Sequence, residues 1–491
     1  MKLAEAHVSP EPLDRFTTLL GVESVDHLRR LAAEVGSRAH GQSLWNVNST
    51  MRGGGVAEML ESMLPYVRGL DIDARWVVIE GEAEFFAITK RIHNALHGRS
   101  GDGSPLGPQQ RRIYEDVLAD NARELAAVVG AGDVVILHDP QTAGLIPHMS
   151  RAGALVIWRS HIGTDKPNEE SALAWQFLLP YVTEARAYVF SRRSFIPTVL
   201  DSSRCFVIAP SIDPFSTKNA ELDASTTRSI LAYTGLVEGP QPGSTAFTRS
   251  DGTPGRVDRR ADIIRLGPAP SADSPLIVQV SRWDRLKDPV GVMQGFALLP
   301  EAAARSTPQL VLAGPNVSGV ADDPEGADVF KEVHAEWRKL PHSVRQNVHL
   351  ASLPLADLEE NAAIVNALQR HATVVVQKSV EEGFGLTVAE ALWKSRPVIA
   401  GAVGGIKDQI SDGVNGLLLE RPTDHQEFVD KLTLLLGDAT LRERLGRAGR
   451  QTVIDRFLPT RHIAEWLAMV AMLFGHPAEP GPGPGPPTDG G

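Results

Sequence analysis

The chain predicts an α/β protein of two doubly wound, parallel-sheet domains, on three observations. Short apolar runs alternate with amphipathic helical patterns from Ser43 onward, the signature of a parallel sheet covered on both faces. The alternation breaks once, across a Gly-, Pro- and Ser-rich stretch from Ser216 to Ser274, and then resumes. At 491 residues the chain also exceeds what a single hydrophobic core accommodates.

Residues 1–41 read as an N-terminal helical extension. Residues 42–215 form the first Rossmann-like domain, with strands expected at Leu44–Val47, Trp76–Ile79, Val134–Leu137, Leu155–Trp158, Ala187–Phe190 and Phe206–Ile208. Several of these runs end in polar clusters: Asn46-Val47-Asn48-Ser49-Thr50, His138-Asp139-Pro140-Gln141, Arg159-Ser160-His161 and Ser191-Arg192-Arg193. Open α/β sheets bind ligands outside the carboxyl ends of their strands, so these clusters share one crevice.

Residues 216–275 read as a linker with an irregular insertion, centred on Gly239-Pro240-Gln241-Pro242-Gly243. Residues 276–455 form the second domain, with strands at Leu276–Val280, Gln309–Ala313, Val348–Leu350, Thr373–Val376 and Val398–Ala400. Only helical patterns follow Thr440, and residues 456–476 read as a C-terminal helix packing back on the first domain. The Pro/Gly tail, 477–491, lacks the apolar content to fold.

Composition narrows the function. Hydrophobic content of 42% and charged content of 22% are globular values. A net charge of −11 argues against nucleic acid or anionic membrane as a partner. The single cysteine, Cys205, excludes an internal disulfide and reads as a buried, inert thiol. The N-terminus shows no apolar signal region and no run spans a bilayer. A cytoplasmic enzyme is expected, so the sequons at Asn48 and Asn316 are set aside.

The most informative stretch is Gln377 to Glu390. A buried strand leads into Glu382-Gly383-Phe384-Gly385, which opens a helix from Leu386 to Lys394. Strand, glycine turn and helix N-terminus make an anion site, since unpaired N–H groups and the helix dipole converge there. Glu382 and Glu390 bracket it. Eight helical residues advance about 12 Å, whereas carboxylates cleaving one glycosidic bond stand within ~5–10 Å of each other. Two hydroxyl-binding carboxylates beside a phosphate cradle suit a longer ligand, a nucleotide sugar.

Ser281-Arg282-Trp283-Asp284-Arg285-Leu286-Lys287-Asp288 follows the first strand of the second domain. Arg282 and Lys287 there suit a diphosphate leaving group, the alternative being a solvated basic loop. Gly53-Gly54-Gly55 lets backbone approach a ligand, but it is neither a dinucleotide fingerprint nor a P-loop. His138, Asp139 and His161 could equally be satisfied structural groups or contacts for an acceptor. Gly404-Gly405-Ile406 forms another turn at the same sheet edge. No His-x-x-x-His pair comes with a third ligand at a strong spacing, so no metal site is expected.

Glu382-Gly383-Phe384-Gly385-Leu386 with Glu390, an E-x7-E pattern, and Ser281-Arg282 with Lys287 resemble the retaining glycosyltransferases of family 4. Within that family, Trp45 to Leu60, His138 to Gln141, Trp158 to Ile162 and Pro210 to Pro214 are similar to the glycosyl-transferring trehalose synthases, and the likeness runs from about Gln42 to Phe457. The resemblance implies the GT-B fold, two Rossmann-like domains facing across a cleft. It implies glucosyl transfer from ADP- or UDP-glucose to free glucose, giving α,α-trehalose.

By the resemblance, Glu382 holds donor sugar hydroxyls and Glu390 the ribose. Arg282 and Lys287 take the diphosphate with the amides of Phe384, Gly385 and Leu386. Asp139, His161, Gly54, Gly55 and Asn48 face the acceptor and the reacting bond. No covalent nucleophile is implied and no tightly bound cofactor, with Mg2+ allowed only in a non-essential role. Partners are the nucleotide sugar and a small sugar acceptor, with a homodimer allowed. Relatives often carry Asp where this chain has Gly163.

Three rival readings stand beside this one. A trehalose phosphorylase would use phosphate and α-glucose 1-phosphate and leave Glu390 no ribose to hold. A nucleotide-sugar epimerase would need an acid/base pair at the sugar ring. A sensing protein would keep the cleft without turnover.

Overall fold

The computed structural model describes residues 3–39, 41–51, 54–239, 243–300, 303, 306–317 and 324–475. Gly53, Ser318 of the second sequon, Pro240 to Pro242 and the 477–491 tail lie outside the described residues.

Two seven-stranded sheets form the framework. The first holds β1 (Ala4–Ala6), β2 (Leu44–Asn48), β3 (Ala74–Val78), β4 (Val134–His138), β5 (Leu155–Ser160), β6 (Ala187–Phe190) and β7 (Cys205–Val207). Its order is β1-β3-β2-β4-β5-β6-β7, parallel except for β1, which lies antiparallel along β3. After a small hairpin of β8 (Ala246–Thr248) and β9 (Pro254–Arg256) comes the second sheet. It holds β10 (Asp262–Ile264), β11 (Leu276–Val280), β12 (Gln309–Pro315), β13 (Val348–Leu353), β14 (Val374–Gln377), β15 (Val398–Gly401) and β16 (Leu417–Leu419). Their order is β10-β13-β12-β11-β14-β15-β16, with only β10 antiparallel.

Every residue of β4, β6, β11, β13, β14 and β15 is buried, which is why these strands read as unbroken apolar runs. Several covering helices begin at side-chain caps, among them Asn168, Asp357, Asp424 and Asp438. Separate cores fill one face of each sheet. The other two faces merge into a continuous core that includes Phe384, Phe457, Ile463 and Trp466. The last helix, Pro459–Gly475, packs against the helices Val22–Ala39 and Gly55–Arg68 of the first domain.

Three expectations change. The N-terminal extension is helical over Val22–Ala39 but starts with an edge strand, β1. The 216–275 segment is mostly ordered: helix Ala224–Thr234 packs on helix Leu358–His371, and β10 extends the second sheet. Fully buried Glu360 fastens it by accepting from the amides of Asp258 (2.8 Å) and Arg259 (2.7 Å). Its Gly, Pro and Ser content is that of short elements joined by many turns. Cys205 is half-buried rather than buried, because β7 is the edge strand, and partial burial raises its pKa. Among the described residues, no helix is long and apolar enough to cross a membrane.

Candidate active site

Sheet order decides where a ligand can enter. In the first sheet, strand order reverses between β2 and β4; in the second, between β11 and β14. Crevices open at such points because the connections leave toward opposite faces. The turns after β2 and β4 carry Gly54, Gly55, His138 and Asp139. Those after β11 and β14 carry Arg282, Lys287 and Glu382.

The second-domain turns are locked together. Val380 N–H donates to the Leu286 carbonyl at 2.8 Å. Fully buried Lys378 forms an ion pair with Asp288, whose other oxygen accepts from Gly291 N–H at 3.0 Å. On this frame Lys287 Nζ stands 2.5 Å from Glu382 Oε2, and Ser379 Oγ donates to the same oxygen at 3.2 Å. Arg282 is exposed, and its charge reaches His93 of the first domain.

Gly385 opens the helix Leu386–Trp393 at φ 85°, a left-handed conformation that favours glycine. A glycine there gives the first-turn amides no capping side chain, which keeps them available to an anion. The carbonyls of Phe384 and Gly385 accept from Gln409 Nε2. The Gly404-Gly405 turn packs directly beneath: a Cβ on Gly404 would stand 1.6 Å from the Glu382 carbonyl oxygen. About one turn along the helix, Glu390 is 3% exposed. Its Oε1 lies 3.5 Å from Lys218 Nζ, while Oε2 is buried with no partner among the described residues. Lys218 also donates to Glu58 Oε2 at 2.9 Å. Burial opposes the charge of Lys218, yet Glu390 and Glu58 together raise its pKa.

In the first domain, His161 and His138 stack with ring centroids 5.4 Å apart. His138 Nδ1 lies 3.1 Å from His161 Nε2, and its Nε2 lies 3.1 Å from Asn46 Oδ1. The amide oxygen requires a donor, so His138 carries its proton on Nε2 and accepts from His161. Burial, followed by the charge of Arg159, holds both rings neutral: His138 falls to about 3 and His161 well below its ordinary value. Asp139 takes φ 61° and accepts the His161 amide at 2.7 Å. Burial pushes its pKa up to about 7 against that hydrogen bond and Arg159. Asn48 is engaged at both ends, donating to the Thr50 carbonyl (2.7 Å) and accepting from Trp76 Nε1 (2.8 Å).

The two domains meet at these turns. A Cβ on Gly383 would stand 2.9 Å from the His161 carbonyl oxygen, and one on Gly55 3.5 Å from Leu386 Cδ1. Buried His97 feels Glu382 and Lys287 across the gap, and burial lowers its pKa to about 4. The Gly163 carbonyl accepts from His97 Nδ1 at 3.1 Å, and a Cβ on Gly163 would overlap Phe195; this chain has no room for a larger residue at 163. Arg192 ties Asp165 of its own domain to Asp408 and the Gly404 carbonyl across the cleft. Lys407 pairs with Asp165 at 2.6 Å.

Glu382, Lys287, the Gly385 turn and Glu390 therefore follow one another along one wall, with Gly55, His161 and His97 opposite. Lys218, Glu58, Lys378 and His97 went unread in the sequence. Lys218 in particular lies in the connecting segment, where no motif marks it. Among the described residues, no group of three or more His, Cys, Asp or Glu gathers as a metal site.

The profile described as "Trehalose synthase, N-terminal domain" matches residues 46–197, and "Glycosyl transferases group 1" matches residues 263–452. The trehalose synthase of Pyrococcus horikoshii is 34% identical over 463 residues, covering 94% of this chain and 97% of that protein. The trehalose phosphorylase of Pleurotus pulmonarius is 25% identical, covering 94% of this chain but 61% of that protein. Among solved structures, the α,α-trehalose-phosphate synthase (UDP-forming) from Burkholderia xenovorans in complex with glucose-6-phosphate superposes with a TM-score of 0.64 at 14% identity. That match covers 87% of this chain and 99% of the other, and shows the shared GT-B fold.

Proposed function

This chain belongs to the trehalose synthase family of group 1 glycosyltransferases, and on that premise we propose that it transfers glucose from a nucleoside diphosphate glucose to free glucose, forming α,α-trehalose with retention. The observation that carries the proposal is Glu390. A buried carboxylate with one unsatisfied oxygen, about one helical turn past a phosphate cradle, suits hydroxyls donated by a ribose. A phosphorylase would have no use for it.

In this reading the diphosphate lies on the uncapped amides before Leu386 with Lys287 and Arg282, and Glu382 holds the transferred sugar. The bond from glucosyl C1 to the phosphate oxygen breaks as the acceptor's anomeric oxygen attacks the same face. The acceptor proton passes to the departing phosphate oxygen. The chain's work is to stabilise charge on the leaving group and to hold the acceptor near His161, Asp139 and the Gly54–Gly55 turn. Asn48 acts indirectly here, by shaping that turn. The reaction is reversible, needs no tightly bound cofactor and at most benefits from Mg2+. The enzyme works on soluble substrates in the cytoplasm, as a monomer or homodimer.

A second reading, trehalose phosphorylase, is favoured by the 25% identity to the Pleurotus protein over nearly all of this chain. A different acceptor within the family is the third. Purified protein is incubated with glucose and, separately, ADP-glucose, UDP-glucose or α-glucose 1-phosphate. Trehalose from a nucleotide sugar supports the synthase and names its base. Trehalose from glucose 1-phosphate alone replaces it with the phosphorylase. No disaccharide from any donor overturns the acceptor.

A further inference from the structure

On the far side of the second sheet from the cleft, an open cavity of about 200 Å³ is walled by Arg228, Arg370, Arg396, His371 and Thr227. His371 and Arg396 stand just before β14 and β15, at the amino ends of those strands. The Glu382 turn leaves the carboxyl end of β14, so at ~3.3 Å per residue the two sites lie at least ~13 Å apart. No carboxylate lines the cavity.

The three arginines are not equally occupied. Arg370 is fully used, bonding Asn366, Glu221 and the carbonyls of Asn219 and Ala220. Arg396 uses Nε on the Lys394 carbonyl (3.2 Å) and Nη1 on the Ala372 carbonyl (3.3 Å). Arg228 is exposed and has no hydrogen-bonded partner among the described residues. The surrounding acids are spoken for: Glu221 pairs with Arg370 and Arg450, and Asp223 caps its own helix. Asp273 stands on the exposed side and feels His371. Like charges gathered around a concave surface without a matching acid are costly, and a multivalent anion relieves that cost by hydrogen bonding to the guanidinium groups.

We propose that this cavity binds a phosphate-bearing anion, held by Arg228 and Arg396 with Arg370 supplying charge behind them. The site is separate from the donor cleft and needs nothing from the catalytic reading. It backs onto the helix that carries Glu390, because Arg396 grips the carbonyl of Lys394 and Lys394 Nζ in turn donates to the Glu390 carbonyl at 3.2 Å.

The test is calorimetric titration of inorganic phosphate into the full chain, with the donor cleft filled by a saturating nucleoside diphosphate. Wild type is expected to bind one phosphate, and R228A/R396A to bind about tenfold more weakly or not at all. Both substituted residues lie outside the catalytic machinery, so trehalose-forming turnover and thermal midpoint of R228A/R396A report that the chain is intact. A parallel titration with glucose 6-phosphate identifies the source: tighter binding than inorganic phosphate assigns a phosphorylated sugar, weaker binding the free ion. Equal phosphate binding by wild type and R228A/R396A overturns the proposal, as does no binding to wild type. Failure of the nucleoside diphosphate itself to bind would instead count against the synthase reading, and leaves the comparison of wild type with R228A/R396A decisive for this one.

Discussion

Lys287 and Glu382 form a close pair on a rigid frame, and neither belongs to the hydrophobic core. Replacing either by alanine therefore removes charge stabilisation in the transition state while leaving packing intact. K287A and E382A are expected to lower kcat by about 10²–10³-fold with little change in thermal midpoint. Near-normal turnover in either variant contradicts the site assignment. Lys218 behaves differently. Its loss strands Glu390 as a buried carboxylate, a cost of about 1–3 kcal/mol once the partial exposure of Lys218 (23%) and Glu58 (42%) is discounted. K218M should be measurably destabilised by chemical denaturation, and adding E390Q should recover most of the loss; additive effects in the double-mutant cycle would show that the pair is not coupled. Sequence and structure part company at this scale. Glu382, Lys287 and Glu390 were legible because their spacing in a strand–turn–helix unit has a mechanism. Lys218 was not, since only the path of the 216–222 connection brings it between two helices of different domains.

The site's elements are turns stacked on one another, and the glycines among them are where backbone meets backbone. Gly404 is the clearest case: at φ 47° with the Glu382 carbonyl where its Cβ would stand, alanine there must push the Glu382 turn aside. G404A should cost about 2–4 kcal/mol and most of the activity; unchanged kinetics would mean that the turn does not set Glu382. Apart from β16, a buried three-residue strand left unread, the buried strands were readable from apolar runs to within three residues at each end, and sheet order then follows from doubly wound connection rules. The edge strands β1 and β10 were not readable. Each has three residues and is only partly buried, so neither carries an apolar run to announce it. Gly404 was visible as a turn beside the Glu382 loop, but the close approach of its backbone to the Glu382 carbonyl was not.

Across the whole molecule, burial of titratable groups couples stability to pH. His97, His138, His161 and His462 are all neutral in the fold, with pKa values held below 6.5 chiefly by burial. The unfolded chain binds protons at these histidines as pH drops below 6.5, whereas the folded chain does not, so acidification favours unfolding. Asp139 runs the other way: with its pKa raised to about 7, the folded state keeps a proton that the unfolded state releases between about 4 and 7. Burial raises Asp213 (to about 6), Glu381 and Asp408 in the same sense, but six histidines, His93 and His349 included, are held low by burial and outweigh these carboxyls. The thermal midpoint is expected to fall from pH 7 to pH 5, and a midpoint that is flat or rises would contradict this arrangement. The interdomain pairs of Arg192 and Lys407, together with the C-terminal helix that spans both domains' cores, hold the cleft walls in register. The two-domain architecture was legible because each half repeats one strand–helix rhythm. The C-terminal helix packing back on the first domain was legible too, but the ion pairs between halves were not, because they leave no local pattern.

Retaining transfer to the anomeric hydroxyl of glucose, as proposed, is tested by supplying unlabelled nucleoside diphosphate glucose with [1-13C]glucose and recording the carbon NMR spectrum of the product. A non-reducing disaccharide whose labelled anomeric carbon is α-linked to an α-glucosyl unit is expected. A reducing disaccharide, or a β linkage at the transferred glucose, would contradict it.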